Sequence, residues 1–312
     1  MKTTAFLVFN KLMMVLSPAR QVLRRLPGAK IFYESIYWRL RPKETILLVC
    51  QGSRMYVDAI DLGIVPHLLA DGVYERYQTE LFKQIIRPGM VVIDIGANFG
   101  YYTLLAARLL RDKGSVIAFE PDPRNYELLL NNVRVNGYTN VIAIKKAVSN
   151  KNGKLRLFID GLNLGAHSLS EKNVSRKTGF VEVDALRLDH YLENVLRVHK
   201  VDLMKIDVEG AEGRVIQGAI RTLGHVDRIF MAFWPRGLRN LGTSPLGLVR
   251  MLRQFGFEIM IVDETQGRIR ELERTELARM IESKHDLAFN VFLERQEHSG
   301  RMERRTISSV DR

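Results

Sequence analysis

The chain has 312 residues, 46% of them apolar and 26% charged, with 23 Gly, 9 Pro and one cysteine. This composition excludes wholesale disorder and a collagen-like or low-complexity chain, and Cys50 alone can form neither an internal disulfide nor a cysteine-based zinc site. The formal net charge of +12 points toward nucleic acid, anionic lipid or an acidic substrate.

The charge is unevenly spread. Residues 1–43 carry nine basic groups against Glu34, residues 295–312 carry five Arg against three acids, and residues 44–294 keep only +2. The expected organisation is a basic N-terminal arm (1–43), a body (44–294, with a lead-in over 44–89) and a polar tail (295–312). The arm opens on an apolar run at 5–16, interrupted by Asn10 and Lys11 and shorter than the ~20 residues that span a bilayer. No small-residue cleavage site follows it, which argues against a signal peptide. Phe6, Phe9, Met13 and Leu16 fall at helical spacing, with Arg20, Arg24 and Arg25 beyond. Two readings stand: a helix packed on the body, or a helix lying on an anionic membrane surface. The cysteine usage implies a reducing, cytoplasmic compartment, with the arm as a peripheral contact to the inner membrane face.

From residue 90 onward, short apolar runs alternate with helical patterns. Strands are expected at 91–95, 116–119, 141–144, 201–206, 228–233, 257–262 and 287–293. Helices are expected at 98–111, 123–136, 211–223, 245–255 and 275–282, two of them with Pro123 or Pro245 in the first turn. Such alternation implies a parallel sheet covered by helices on both faces. Ligands then bind at the carboxyl ends of the strands. Those ends carry Asp94, Glu120 and Asp207.

The first strand runs into Asp94-Ile95-Gly96-Ala97-Asn98-Phe99-Gly100. A dinucleotide loop beginning at Gly96 would need glycine at 98 and 101, where Asn98 and Tyr101 stand. No Gly-Lys-Ser or Gly-Lys-Thr of a P-loop occurs. The plain alternative is a tight turn with Asn98 capping the helix. Glu120 can accept hydrogen bonds from the vicinal hydroxyls of a ribose, and Pro121-Asp122-Pro123 aims it; a solvated turn residue is the alternative. Together these features suit a nucleoside ligand without phosphates. S-adenosylmethionine fits, with its carboxylate at the helix start near Asn98 and its ammonium facing Asp94 or Asp207.

Four segments then carry a resemblance: Val-Ile-Asp-Ile-Gly-Ala-Asn-Phe-Gly-Tyr-Tyr-Thr (92–103), Phe-Glu-Pro-Asp-Pro-Arg-Asn-Tyr-Glu (119–127), Ala-Val-Ser-Asn (147–150) and Lys-Ile-Asp-Val-Glu-Gly-Ala-Glu (205–212). With Gly-Val-Tyr-Glu (72–75) upstream, the chain from Gly72 to Leu293 resembles the FkbM-type class I S-adenosylmethionine-dependent methyltransferases. The resemblance implies an α/β, Rossmann-like fold with a seven-stranded, mostly parallel sheet and an antiparallel last strand. It implies that Asp94, Gly96, Ala97, Asn98 and Gly100 surround the methionine part of the cofactor, with Glu75 a further candidate there. Glu120 takes the ribose, Ala147 and Val148 lie by the adenine, and Asp207 borders cofactor and acceptor. The family usually has an acid two residues before Trp-Pro; this chain has Ala232.

The implied activity is O-methylation of a hydroxyl on a small molecule, sugar or lipid-linked glycan, aided by alignment and a positioned base. The base candidates are Asp207, Glu209 and His167. Lys205, Asp207 and Glu209 alternate and so share one side of the strand end; an exposed Lys205–Glu209 ion pair is the alternative. For Asp207 it is a helix N-terminal acid, and for His167 an exposed loop residue. His190 reads as structural. No complete metal ligand set is seen, so no metal is expected. The competing functions are an RNA methyltransferase, which the basic arm and the asparagine-rich helix at 131–136 would suit, and a non-catalytic cofactor-binding module of the same fold. The nearly neutral body and the missing Asn-Pro-Pro-Tyr or Asp-Pro-Pro-Tyr motif speak against nucleic acid as partner.

Overall fold

A computed structural model describes Phe6 and residues 35–36, 39–42, 45–282 and 287–296. Most of the basic arm and the tail beyond Gln296 lie outside the described residues. Phe6 is fully buried, in the same apolar cluster as Ile46, Met55 and Val57, and Leu40 packs against that cluster.

The chain opens with a hairpin of β1 (Thr45–Cys50) and β2 (Ser53–Asp58). Gln51 and Gly52 turn it with φ of 50° and 79°, the paired left-handed geometry that a two-residue hairpin requires. Helices α1 (Val65–Asp71) and α2 (Arg76–Ile85) follow. The alternating part then runs β3 (Val91–Ile95), α3 (Tyr101–Leu110), β4 (Ser115–Phe119), α4 (Pro123–Val135) and β5 (Val141–Ile144). After β6 (Ala147–Val148), β7 (Gly153–Asp160), β8 (Lys177–Leu186) and α5 (Leu188–Tyr191) it resumes with β9 (Val201–Ile206), α6 (Glu212–Gly218), α7 (Ile220–Leu223) and β10 (Val226–Phe233). The last elements are α8 (Pro235–Asn240), α9 (Pro245–Gln254), β11 (Phe257–Asp263), β12 (Arg268–Glu271), α10 (Arg274–Glu282) and β13 (Phe289–Arg295).

The central sheet has the order β12-β11-β13-β10-β9-β3-β4-β5. Strands β10, β9, β3, β4 and β5 are mutually parallel, and β13 inserts antiparallel between β10 and β11. This is the α/β, Rossmann-like class I methyltransferase arrangement, with its antiparallel last strand. The edge strand β12, hairpinned on β11, is an eighth that the spacing does not announce. Strand alternation sends Val92 to one apolar cluster and Ile93 and Ile95 to the other, so both faces of the sheet are covered. The reversal of strand order between β3–β4 and β3–β9 opens a crevice at their carboxyl ends, where ligands bind in such sheets.

Three expectations need correction. The helix expected from 98 begins at Tyr101, because Asn98 and Gly100 are both left-handed (φ 53° and 97°) and Gly100, not Asn98, precedes the first turn. Asn98 instead accepts from the Phe99 N–H at 2.7 Å. The helix expected over 211–223 breaks at Ala219, which leaves helical geometry with φ of −123°. The stretch from 147 to 186, for which no strand is expected above, forms a separate three-stranded sheet of order β6-β8-β7, its strands alternating at 154–157 and 181–185.

The β1–β2 hairpin is fastened to the body by two asparagines one turn apart, Asn132 on α4 and Asn136 at its C-terminal cap. Asn132 Oδ1 accepts from Tyr56 N (2.6 Å), and its Nδ2 donates to Tyr56 O (3.0 Å) and Phe99 O (2.8 Å). Asn136 repeats the pairing with Arg54 N and O. The two side chains act as a partner strand for the free edge of β2, so Asn132 and Asn136 serve the fold. Asn132 is fully buried. Asn132→Ala should cost about 2–3 kcal/mol, at roughly 1 kcal/mol per lost hydrogen bond, and Asn136→Ala clearly less; urea unfolding curves would check both.

Candidate active site

A cavity of about 310 Å³ opens at the carboxyl ends of β3, β4 and β9, within the size range of small-molecule sites. Asp94, Gly96, Ala97, Asn98, Glu120, Ala147, Val148, Asp207, Glu209, Glu75 and His167 all line it. Gly100 does not. Its missing Cβ serves the packing of α3 on α4, since an added methyl would lie 2.6 Å from Leu129 Cδ1.

The walls come from two loops that nearly touch. A Cβ on Gly96 would stand 1.9 Å from the carbonyl oxygen of Asp207, and Gly96 has φ of 84°. Only glycine meets both demands. The Gly96 and Ala97 N–H groups donate to Phe119 O at 2.9 and 3.0 Å, and Asp207 N donates to Ile95 O at 2.9 Å. The loops after β3, β4 and β9 are thus mutually tied.

Glu120 is buried. Its Oε2 accepts from Asn98 N at 2.7 Å and its Oε1 from Asp122 N at 2.8 Å. Burial raises its pKa to about 8, although those two bonds oppose the shift. Asp94 is also buried: Thr103 donates to Oδ2 at 2.6 Å, and Oδ1 has no hydrogen-bond partner among the described residues. Burial raises the Asp94 pKa against the pull of the Lys205 charge. Glu75 has a left-handed backbone (φ 44°) and accepts from Gln78, Tyr102 and Asn290 at 2.6–2.8 Å. Burial raises its pKa too.

Lys205 is the largest departure from expectation. Rather than an exposed partner of Glu209, it is buried with Nζ 2.8 Å from Asp207 Oδ2 and 4.7 Å from the centre of the Tyr102 ring. Burial works against its charge, yet Asp207, Asp94 and Glu75 more than offset this and raise its pKa. The shared side of Lys205 and Asp207 follows from strand alternation. Glu209 itself sits in a left-handed turn at φ 51°, where alternation no longer applies. Its carboxylate has no hydrogen-bond partner among the described residues, and burial, then the charges of Asp207 and Glu212, push its pKa well up. Glu212 is fully buried; its Oε1 receives Val208 N and Gly210 N, and burial raises its pKa to about 7.

His167 Nδ1 accepts from the backbone N–H of Asp160 at 3.1 Å. A neutral imidazole with that lone pair engaged carries its proton on Nε2, and burial lowers the His167 pKa. His190 bonds Asn194 outside the cavity. Sequence reasoning missed Trp234, Asn163 and Asn290 in the lining. Lys205, considered from the sequence only as an exposed partner, carried a signal of burial: it stands among apolar neighbours in strand β9. Among the described residues no group of three potential metal ligands occurs, and no helix is long and apolar enough to cross a membrane.

Residues 94–259 match the family model described as the methyltransferase FkbM domain. Relatives include the 2-O-methyltransferase NoeI of Sinorhizobium fredii, 29% identical over 184 residues that cover 55% of this chain and 74% of that protein. The hexuronic acid methyltransferase AglP of Haloferax volcanii is 25% identical over 166 residues, 53% of this chain and 62% of that one. Methyltransferase 1 of Beauveria bassiana is 27% identical over 143 residues, 41% of this chain and 57% of its own. The chain therefore spans between just over half and three quarters of these relatives. The solved FkbM methyltransferase of Methylobacillus flagellatus superposes with a TM-score of 0.42 and 12% identity, over 73% of this chain and 52% of that one.

The Glu120 pKa has a consequence for stability. The folded carboxyl titrates near 8 and the unfolded one near its ordinary 4.5, so folding takes up a proton between those values. Stability should fall as pH rises from about 5 to 8. Glu120→Gln should lack that share, so its stability relative to the parent should grow across the same window in urea titrations. A difference that stays flat with pH would refute the assignment.

Proposed function

This chain belongs to the FkbM methyltransferase family, and we propose that it is an S-adenosylmethionine-dependent O-methyltransferase acting on a hydroxyl of a small molecule, sugar or lipid-linked glycan. The observation that carries this reading is the convergence of Glu75, Asp94, Glu120, Asp207 and Glu209 on one cavity. Such a lining suits a cationic, ribose-bearing cofactor and repels phosphate. The residues fit the group. The unpartnered Asp94 Oδ1 can accept from an ammonium, with Glu75 and Asp207 adding negative charge. Glu120 keeps lone pairs for ribose hydroxyls beside the two N–H groups that fix it. Gly96 leaves room for close backbone approach, and Ala147 and Val148 offer an apolar wall for the adenine. The names of NoeI and AglP support a sugar hydroxyl as acceptor.

Bound S-adenosylmethionine supplies a methyl group made electrophilic by its sulfonium sulfur. The chain's own contribution is alignment and proton removal. Glu209 is the better base: its carboxylate is unengaged, and burial raises its pKa and so its affinity for a proton. Asp207 spends Oδ2 on Lys205 and serves to orient. His167, with Nδ1 occupied, presents an Nε2–H and serves as a donor to the acceptor's oxygen. The single cysteine is buried and unpaired, which fits a cytoplasmic setting. The +8 of residues 1–43 supports their contact with an anionic membrane face.

Calorimetric titration with S-adenosylmethionine tests the cofactor assignment. Glu120→Ala should weaken binding at least tenfold, about 1.4 kcal/mol; no binding by the parent protein would remove the whole reading. With a panel of glycans and labelled cofactor, Glu209→Gln should lower methyl transfer by ~100-fold or more while cofactor affinity changes little.

A further inference from the structure

Glu209 is held in an uncommon backbone conformation from outside the cavity. It has φ of 51°, followed by Gly210 at 95°. For a residue with a Cβ the left-handed region is strained, and such strain persists where the surroundings over-determine it. Here both sides of the loop are gripped. On the inner side the Val208 and Gly210 N–H groups donate to Glu212 Oε1, each at 3.2 Å. On the outer side the Glu209 carbonyl accepts from Ser168 Oγ at 2.7 Å and from Asn173 Nδ2 at 2.9 Å.

The outer pair is itself fixed. Ser168 Oγ accepts from Ser170 N at 3.2 Å, and Ser168 pairs across to Phe158 on β7. Asn173 Oδ1 accepts from Asn240 Nδ2 at 2.7 Å, and its Nδ2 lies 3.3 Å from Gly237 O. Both side chains are buried. A Cβ on Gly210 would stand 2.4 Å from Asn173 Nδ2, so the amide packs directly on the turn. Neither Ser168 nor Asn173 lines the cavity, whereas His167, adjacent to Ser168, does.

We propose that Ser168 and Asn173 are positioning residues: they clamp the Glu209 peptide so that its carboxylate faces the acceptor, and they bind the loop carrying His167 to the loop carrying Glu209 as one unit. The proposal rests on the reading of Glu209 as the proton acceptor. In that reaction the acceptor hydroxyl gives its proton to the Glu209 carboxylate, its oxygen forms a bond to the methyl carbon, and the carbon–sulfur bond breaks to leave a neutral thioether. The clamp itself forms and breaks no covalent bond.

The test uses the full chain labelled with 13C at the glutamate side-chain carboxyl carbons. The Glu209 signal is assigned by its loss in Glu209→Gln and followed by NMR against pH. The titration responds to Asp207, Glu212, Glu75 and Lys205, which face Glu209 from the neighbouring elements. Ser168→Ala, which removes one oxygen, and Asn173→Ser, which shortens the donor, are compared with the parent protein. Each should release the carboxylate toward water and lower its midpoint by at least one pH unit. S-adenosylmethionine affinity, measured by calorimetry on the same samples, should change less than threefold. A residue needed only for stability would lower the melting temperature and leave that midpoint in place. An unchanged midpoint in whichever variant folds overturns the proposal. Absence of S-adenosylmethionine binding by the parent protein would instead overturn the methyltransferase reading on which it rests.

Discussion

The site depends on one buried cation. Asp94 and Asp207 close adjacent parallel strands, and Glu75 and Glu209 approach them from the preceding and following loops. Carboxylates brought this close into a poorly solvated crevice disfavour one another's charge. Lys205 Nζ lies among them, 2.8 Å from Asp207 and stacked on the Tyr102 ring. It holds the cluster together without neutralising it. The remaining excess of negative charge favours a positively charged guest, and burial raises the pKa values of Glu75, Asp94 and Glu209.

Backbone contact between loops gives this cluster its shape. The absent Cβ of Gly96 lets the turn after β3 rest on the carbonyl of Asp207. Glu120 pins the same turn through Asn98 N. A shift of any one strand end would move all three acids, so binding and alignment are coupled by packing rather than by separate devices. The β6-β8-β7 sheet adds a second layer. Its loop places His167 in the cavity wall while Asp160 sets the ring's tautomer.

The molecule separates its charges by place. The crevice concentrates acids, whereas the net +12 of the chain sits mainly in residues 1–43. One residue of that arm, Phe6, is fully buried in the cluster beneath the hairpin, so the arm's apolar run contributes to the core at that point.

Most of the sheet was legible in the sequence, because buried parallel strands read as short apolar runs and helices carry their own period and caps. Pro123 and Pro245 open helices as expected, with Asp122 and Ser244 capping them. The carboxylates at the strand ends were legible for the same reason: an acid that stops an apolar run stands out. The β1–β2 hairpin and edge strand β12 were not, since their pairing is settled by distant partners such as Asn132; β7 and β8 carry a two-residue alternation at 154–157 and 181–185, but runs that short do not say which sheet they join. The sequence also named Asp207, Glu209 and His167 as candidates without ranking them. Only the tertiary structure separates them, because the ranking depends on which lone pairs are already engaged. Lys205 occupies Asp207, the Asp160 N–H occupies His167, and the left-handed turn held by Ser168 and Asn173 leaves Glu209 open. Sequence determines which groups are present and which backbone period carries them. Hydrogen-bond engagement and burial depend on residues tens of positions away, and these exist only once the chain has packed.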